Sequence, residues 1–256
     1  MRIITYNVLG LQGYPPGDAL EALGSLGGEA HIDHFVGVFA QLDADILALE
    51  EGVTAPMIKT IAQRLGYHAA TFASPTAFPG HVLTRYSILE SRTLSHFNPG
   101  VDSVPFSRTA GAALLDVDGK ATWVVVVHLH PGEVAMRERE AALLDTRVAE
   151  LMGVSDRVVV LGDFNCDLDE RVHCDLKARG FVNAMERVGG GVQPTMDTVG
   201  ISPWRIDHIY ASPVLAPGLR WAAVVRSAGF RHDGPQVKSL WVHSDHLPVV
   251  AEFSED

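Results

Sequence analysis

Residues 157–165 read RVVVLGDFN. The apolar run at 158–161 is unbroken and is followed at once by Gly162, Asp163, Phe164 and Asn165. A strand wetted on one face alternates apolar with polar residues, so a continuous run predicts a strand buried on both faces. This one ends on a carboxylate and an amide. Strand ends are where layered α/β proteins gather their working side chains. The pattern recurs at 121–128, ATWVVVVH, which ends on His128.

Further strands are expected at 2–8, 45–49, 81–89, 110–117, 206–211 and 247–253, all β-rich runs bounded by turn residues. Helical spacing lies between them. Residues 31–42 set Ile32, Phe35, Val36 and Phe39 on one face, and 133–152 do the same with Ala141, Leu144, Val148 and Leu151. That second helix turns Arg137 and Arg139 toward solvent in this reading. Residues 54–65 open on Thr54 as a cap with Pro56 in the first turn, and 168–179 read as a shorter helix. The Gly- and Pro-rich stretches 10–28, 74–80, 98–105, 188–204 and 213–218 read as loops, those at 10–28 and 188–204 as candidate pocket walls. Strands and helices mixed throughout predict an α/β fold in one layered domain spanning 1–256.

The 256-residue chain is 47% hydrophobic and 20% charged, an ordinary globular balance. No apolar run is long enough to cross a bilayer, and MRIITYNVL lacks the features of a secretory leader. Two cysteines, Cys166 and Cys174, are too few for a disulfide framework. Free thiols and a cytoplasmic location are the expectation. The net charge of −11 leans away from a duplex-binding nuclease, because phosphate neutralisation supplies most affinity for nucleic acid. A bound metal or a local basic groove would reverse that sign, so nucleic acid stays open as a substrate.

Asn7, Glu51, His128, Asp163 and Asn165 all sit just past strand runs, Asp207 lies in WRIDHIY, and Asp245 and His246 precede LPVVAEF. Asp, Glu and Asn oxygens are hard ligands suited to Mg²⁺ or Mn²⁺. Such an ion polarises a phosphoryl oxygen or activates water, and a His beside an Asp is poised for acid/base work. A metallo-β-lactamase-type zinc site wants HxHxDH, whereas 128–133 read HLHPGE. A serine hydrolase wants a G-x-S-x-G elbow in a strand–turn–helix setting, which is missing.

The segments TYNV, ALEE, HVLTRYSI, VVHLH, GDFN, RIDHIYAS and SDHLPV, in this order between residues 3 and 253, resemble the endonuclease/exonuclease/phosphatase superfamily. The resemblance implies a four-layer αββα sandwich, two mixed β-sheets face to face with helices outside. It implies a divalent-metal-dependent phosphoesterase that hydrolyses a phosphate ester by in-line attack of water, with Mg²⁺ or Mn²⁺ as cofactor. Asn7, Glu51 and Asp245 match the family's metal-binding positions. His128, Asp163, Asn165, Asp207 and His246 match its catalytic ones: Asp163 for the water, His128, Asn165 and His246 for the phosphate, Asp207 to orient His246. Glu50 stands where many members have Gln, and Val127 replaces the usual Thr. A small or lipid-derived phosphate ester is the favoured substrate, with DNA or RNA as the alternative. A catalytically inactive binding scaffold is the reading of another class, and it predicts loss of those residues.

Overall fold

The computed structural model describes residues 1–95, 106–234 and 240–254. The loop expected at 98–105 therefore falls wholly outside the described residues. The described strands are β1 (Arg2–Asn7), β2 (Ile46–Glu50), β3 (His68–Phe72), β4 (Gly80–Thr84), β5 (Ser87–Thr93), β6 (Thr109–Val117), β7 (Lys120–His128), β8 (Val158–Asp163), β9 (Val182–Asn183), β10 (Asp207–Ala211), β11 (Leu219–Val224) and β12 (Val249–Phe253). The helices are α1 (Pro16–Leu23), α2 (Glu29–Leu42), α3 (Ala55–Leu65), α4 (Val134–Met152), α5 (Arg171–Ala178) and α6 (Ala184–Val188).

Two six-stranded sheets form, in the orders β11-β12-β1-β2-β4-β3 and β5-β6-β7-β8-β10-β9. Each is mixed. In the first, β1 runs parallel to β2 and antiparallel to β12; in the second, β7 runs parallel to β8 and β8 antiparallel to β10. The valine runs explain the layering. Val124, Val126, Val159 and Leu161 point into the core shared with the first sheet, and Val125, Val127, Val158 and Val160 into a second core under α4 and α5. Ile32, Phe35 and Phe39 of α2 and Ile58 and Ile61 of α3 join the first core. The result is the four-layer αββα sandwich.

Several local expectations are corrected. The strand expected at 81–89 is two strands in different sheets: β4 ends at Thr84, Arg85–Tyr86 make the turn, and β5 begins at Ser87. The Arg85 guanidinium spans Asp43 and Asp45 there. Thr54 precedes α3 without a side-chain cap bond. Arg137 is not on a solvated face: it is 7% exposed, paired through two nitrogens with Glu170. The stretch 10–28 holds α1, and β3, β9, β11 and α6 lie where no element was expected.

Candidate active site

Strand direction brings the flagged residues together. Asn7 closes β1, Glu50 closes β2 with Glu51 next, His128 closes β7 and Asp163 closes β8. β10 and β12 run the other way, so Asp207, which opens β10, and Asp245–His246, just before β12, reach the same end of the sandwich. Asp163 lies in register with His128 on one side and Asp207 on the other. The closest approach depends on Gly162, whose φ is +138°: a Cβ there would lie 1.9 Å from the Val127 carbonyl oxygen. No side chain fits, and the β7 and β8 ends stand side by side because of it.

The bonds cross between sheets. Asn7 Nδ2 donates to Asp163 Oδ2 at 3.0 Å, and the Asn165 amide donates to Asp163 Oδ1 at 2.9 Å. Asn165 Nδ2 donates to the Leu129 carbonyl at 3.0 Å. His246 Nδ1 lies 3.0 Å from Asp207 Oδ2, and its Nε2 lies 3.8 Å from Asp163 Oδ2. Ser244 Oγ donates to the Asn7 carbonyl at 2.7 Å and to Asp245 Oδ1 at 3.3 Å, tying the last site segment to β1. Glu51 and Asn165 hold φ of +47° and +52°, left-handed values that cost non-glycine residues about 1–3 kcal/mol each and gather at functional sites.

Burial and charge then act on the titratable groups. Burial, followed by the Asp207 charge, lifts the Asp163 carboxyl to about 7. For His246 burial pulls downward, but the Asp207 charge and hydrogen bond, with Asp163 and Asp245, outweigh it and hold the ring at about 10. Burial, the Arg108 cation and His246 keep His128 neutral at physiological pH. Arg108 Nη1 donates to His128 Nε2 at 3.2 Å, which places the ring proton on Nδ1, a buried atom with no partner.

Three residues outside the expected catalytic and metal-binding set complete the surroundings. Arg108 pairs with Glu51 Oε1 at 3.0 Å and stacks on Phe78 at 4.5 Å. Glu50 is fully buried, accepts from Thr5 Oγ1 at 2.8 Å and leaves Oε2 unpartnered; burial and the nearby Asp207 and Asp163 keep its carboxyl protonated well above the usual range. Glu140 of α4, also fully buried, accepts the Ser107 amide at 2.7 Å and the His130 amide at 2.9 Å, so it braces the segments carrying Arg108 and His128. One signal was present: Glu140 directly precedes Ala141 on the apolar face of α4.

Two acidic groupings could attract a cation. Asp163, Asp207 and His246 offer atoms within 4.8 Å of one another. The last two are already spent on each other, and a protonated imidazole has no lone pair to give. Glu51 and Asp245 suit a hard divalent ion better. Burial raises the Glu51 carboxyl; the His246 and Arg108 charges pull it back, the Asp245 charge adds to the rise, and a cation between Glu51 and Asp245 would relieve that last repulsion. A cavity of about 350 Å³ bounded by Met1, Lys120, Arg157 and Phe253 lies at the opposite ends of the same strands, away from this chemistry.

The profile of the Endonuclease/Exonuclease/phosphatase family matches residues 4–246. The chain belongs to that family. Endonuclease/exonuclease/phosphatase members are hydrolases acting on phosphate esters, and the protein is a phosphoesterase of this kind. Solved structures share the fold. The mannosyl-6-phosphatase of Bacteroides thetaiotaomicron superposes with a TM-score of 0.75 at 17% identity over 100% of both chains. The 3′ phosphatase NExo of Neisseria, bound to a product DNA hairpin, gives 0.73 at 22% over 100% of both chains. Truncated TDP2 of Caenorhabditis elegans gives 0.71 at 18% over 98% of this chain and 96% of that one. No curated protein sequence matches the chain. Among the described residues, no helix is long and apolar enough to cross a membrane.

Proposed function

We propose that this single domain is a divalent-metal-dependent enzyme that hydrolyses a phosphomonoester or phosphodiester by in-line attack of water, and that its substrate is small or lipid-derived. One observation carries the reading. A buried carboxyl poised near neutrality, Asp163, stands 3.8 Å from an imidazole that Asp207 keeps charged, His246. Neighbouring groups whose proton affinities are pushed apart in this way divide naturally into a base and a cationic stabiliser.

Asp163 Oδ2 accepts the proton of the attacking water; Asn7 Nδ2 and the Asn165 amide fix its orientation. His246 Nε2 donates to a non-bridging phosphate oxygen as charge builds, and Asp207, bonded to Nδ1, fixes the ring's orientation and its charge. His128 and Asn165 line the phosphate position. Glu51, Asp245 and the Asn7 side-chain oxygen would hold Mg²⁺ or Mn²⁺. Once bound, that ion polarises the phosphoryl group. The second reading, a nuclease, draws on the DNA hairpin bound by the Neisseria relative; the −11 charge weighs against it here.

The test is hydrolysis of an aryl phosphodiester, an aryl phosphomonoester, single-stranded and duplex DNA, RNA and a phospholipid, each with Mg²⁺, Mn²⁺ or chelator. Turnover that needs metal and falls by about 10²-fold or more in Asp163→Asn supports the reading. Turnover that survives chelator overturns the metal's part in it, and turnover that survives Asp163→Asn overturns the base.

A further inference from the structure

His81 of β4 is fully buried and lies in register with Leu49 of β2 and Thr71 of β3. Burial strips an imidazole of water, so its nitrogens need partners in the protein. Both have one. Nε2 lies 3.0 Å from the Val53 carbonyl oxygen, and Nδ1 lies 3.0 Å from Thr71 Oγ1. A carbonyl oxygen only accepts, so the ring proton sits on Nε2, and Nδ1 accepts from the Thr71 hydroxyl. Burial lowers the ring to about 4, so it is neutral at physiological pH and this division of roles holds.

The Val53 bond reaches the turn that carries Glu51. Glu51 keeps a φ of +47°, which a non-glycine residue holds only where its surroundings over-determine it. Three ties act on the turn. The Gly10 amide donates to the Glu51 carbonyl at 2.7 Å, the Gly52 amide donates to the Pro79 carbonyl at 2.8 Å, and His81 Nε2 donates to the Val53 carbonyl. The first two join peptide groups; the third comes from a side chain. Gly52 is fitted to that side chain, since a Cβ there would lie 2.2 Å from His81 Cδ2 and Nε2. The ring therefore packs against the residue that follows Glu51.

We propose that His81, its proton placed by Thr71, is a positioning residue for Glu51, clamping the turn so that the carboxylate meets a divalent ion in one conformation. A ligand held ready spares the ion the cost of ordering it. The proposal rests on the metal-dependent reading of the site.

Mn²⁺ binding to the metal-free protein, followed by loss of the EPR signal of free Mn²⁺, tests it apart from turnover. The variants are His81→Leu, which lacks the donor, His81→Gln, whose amide can set an N–H near the place of Nε2, and Thr71→Val. Glu51→Gln is the control for the ion's site. His81→Leu should weaken Mn²⁺ binding by about tenfold or more, Thr71→Val should weaken it less, and His81→Gln should recover most of the loss. In turnover the half-saturating Mn²⁺ concentration should rise by more than kcat falls. A His81 that serves stability alone would lower Tm in His81→Leu and leave the Mn²⁺ affinity where it was, which overturns the proposal and spares the metal reading. Should His81→Leu fail to fold, Thr71→Val decides, and an affinity equal to wild type overturns the proposal. Wild-type binding that Glu51→Gln leaves unmoved, or no binding at all, overturns the metal reading at Glu51 and the proposal with it.

Discussion

Asn7 and Asp163 lie 156 residues apart in the chain and on different sheets, yet Asn7 Nδ2 donates to Asp163 Oδ2 at 3.0 Å. The bond gives Asp163 a fixed orientation in a place where burial works against its charge.

Stability should therefore depend on pH through Asp163. Burial and Asp207 raise its folded-state value to about 7, above the usual carboxyl value of 3.8. Between those values the folded protein holds a proton that the unfolded chain does not, so this contribution to stability is present at low pH and lost as pH rises through about 7. From pH 5 to pH 8 the stability difference between Asp163→Asn and wild type should move in the variant's favour by on the order of 1–3 kcal/mol. Urea denaturation at the two pH values measures it. A difference that stays flat, or moves the other way, refutes the assignment.

His246 runs with the opposite charge. Although burial lowers it, Asp207 and the other carboxylates raise it to about 10 from 6.5, so its stabilising effect is fully present below 6.5 and fades as pH rises through about 10. The ring should remain protonated at pH 8 when followed by NMR in the metal-free protein. Asp207→Asn should lower its titration by about 1 unit or more and reduce turnover more at pH 8 than at pH 6. A wild-type ring that titrates near 6.5 is the contrary result.

Glu140 offers a test away from the chemistry. Each of its oxygens accepts one backbone amide, Ser107 or His130, with no solvent contact. Glu140→Gln turns an amide NH₂ toward one of those donors. The expected cost is roughly 1–3 kcal/mol, with faster hydrogen exchange at the Ser107 and His130 amides and a lower kcat. Unchanged exchange at both amides would show that the brace is dispensable.

The layered fold was legible because VVVV and VVVL cannot belong to strands with a wet face. The positions of Asn7, His128, Asp163 and Asp207 at strand ends followed from where those runs stop. β3 escaped because HAATF carries little β-branching, and β11 because LRWAAV does not alternate cleanly. The division of 81–89 is a matter of sheet membership, which local propensity does not encode. Nothing local marks Arg108, since its meaning comes from Glu51 and His128, far away in sequence. Glu50 could be seen as a departure from the family's Gln, but its protonated state follows only from the carboxylates folded around it.

Gly162 carries a consequence for heredity. The Val127 carbonyl fills the space a side chain would need, so no missense change at codon 162 leaves the β7–β8 contact intact. In a saturation library under selection for activity, that column should stand empty save for synonymous codons, marking the active end of the sandwich from genotype alone.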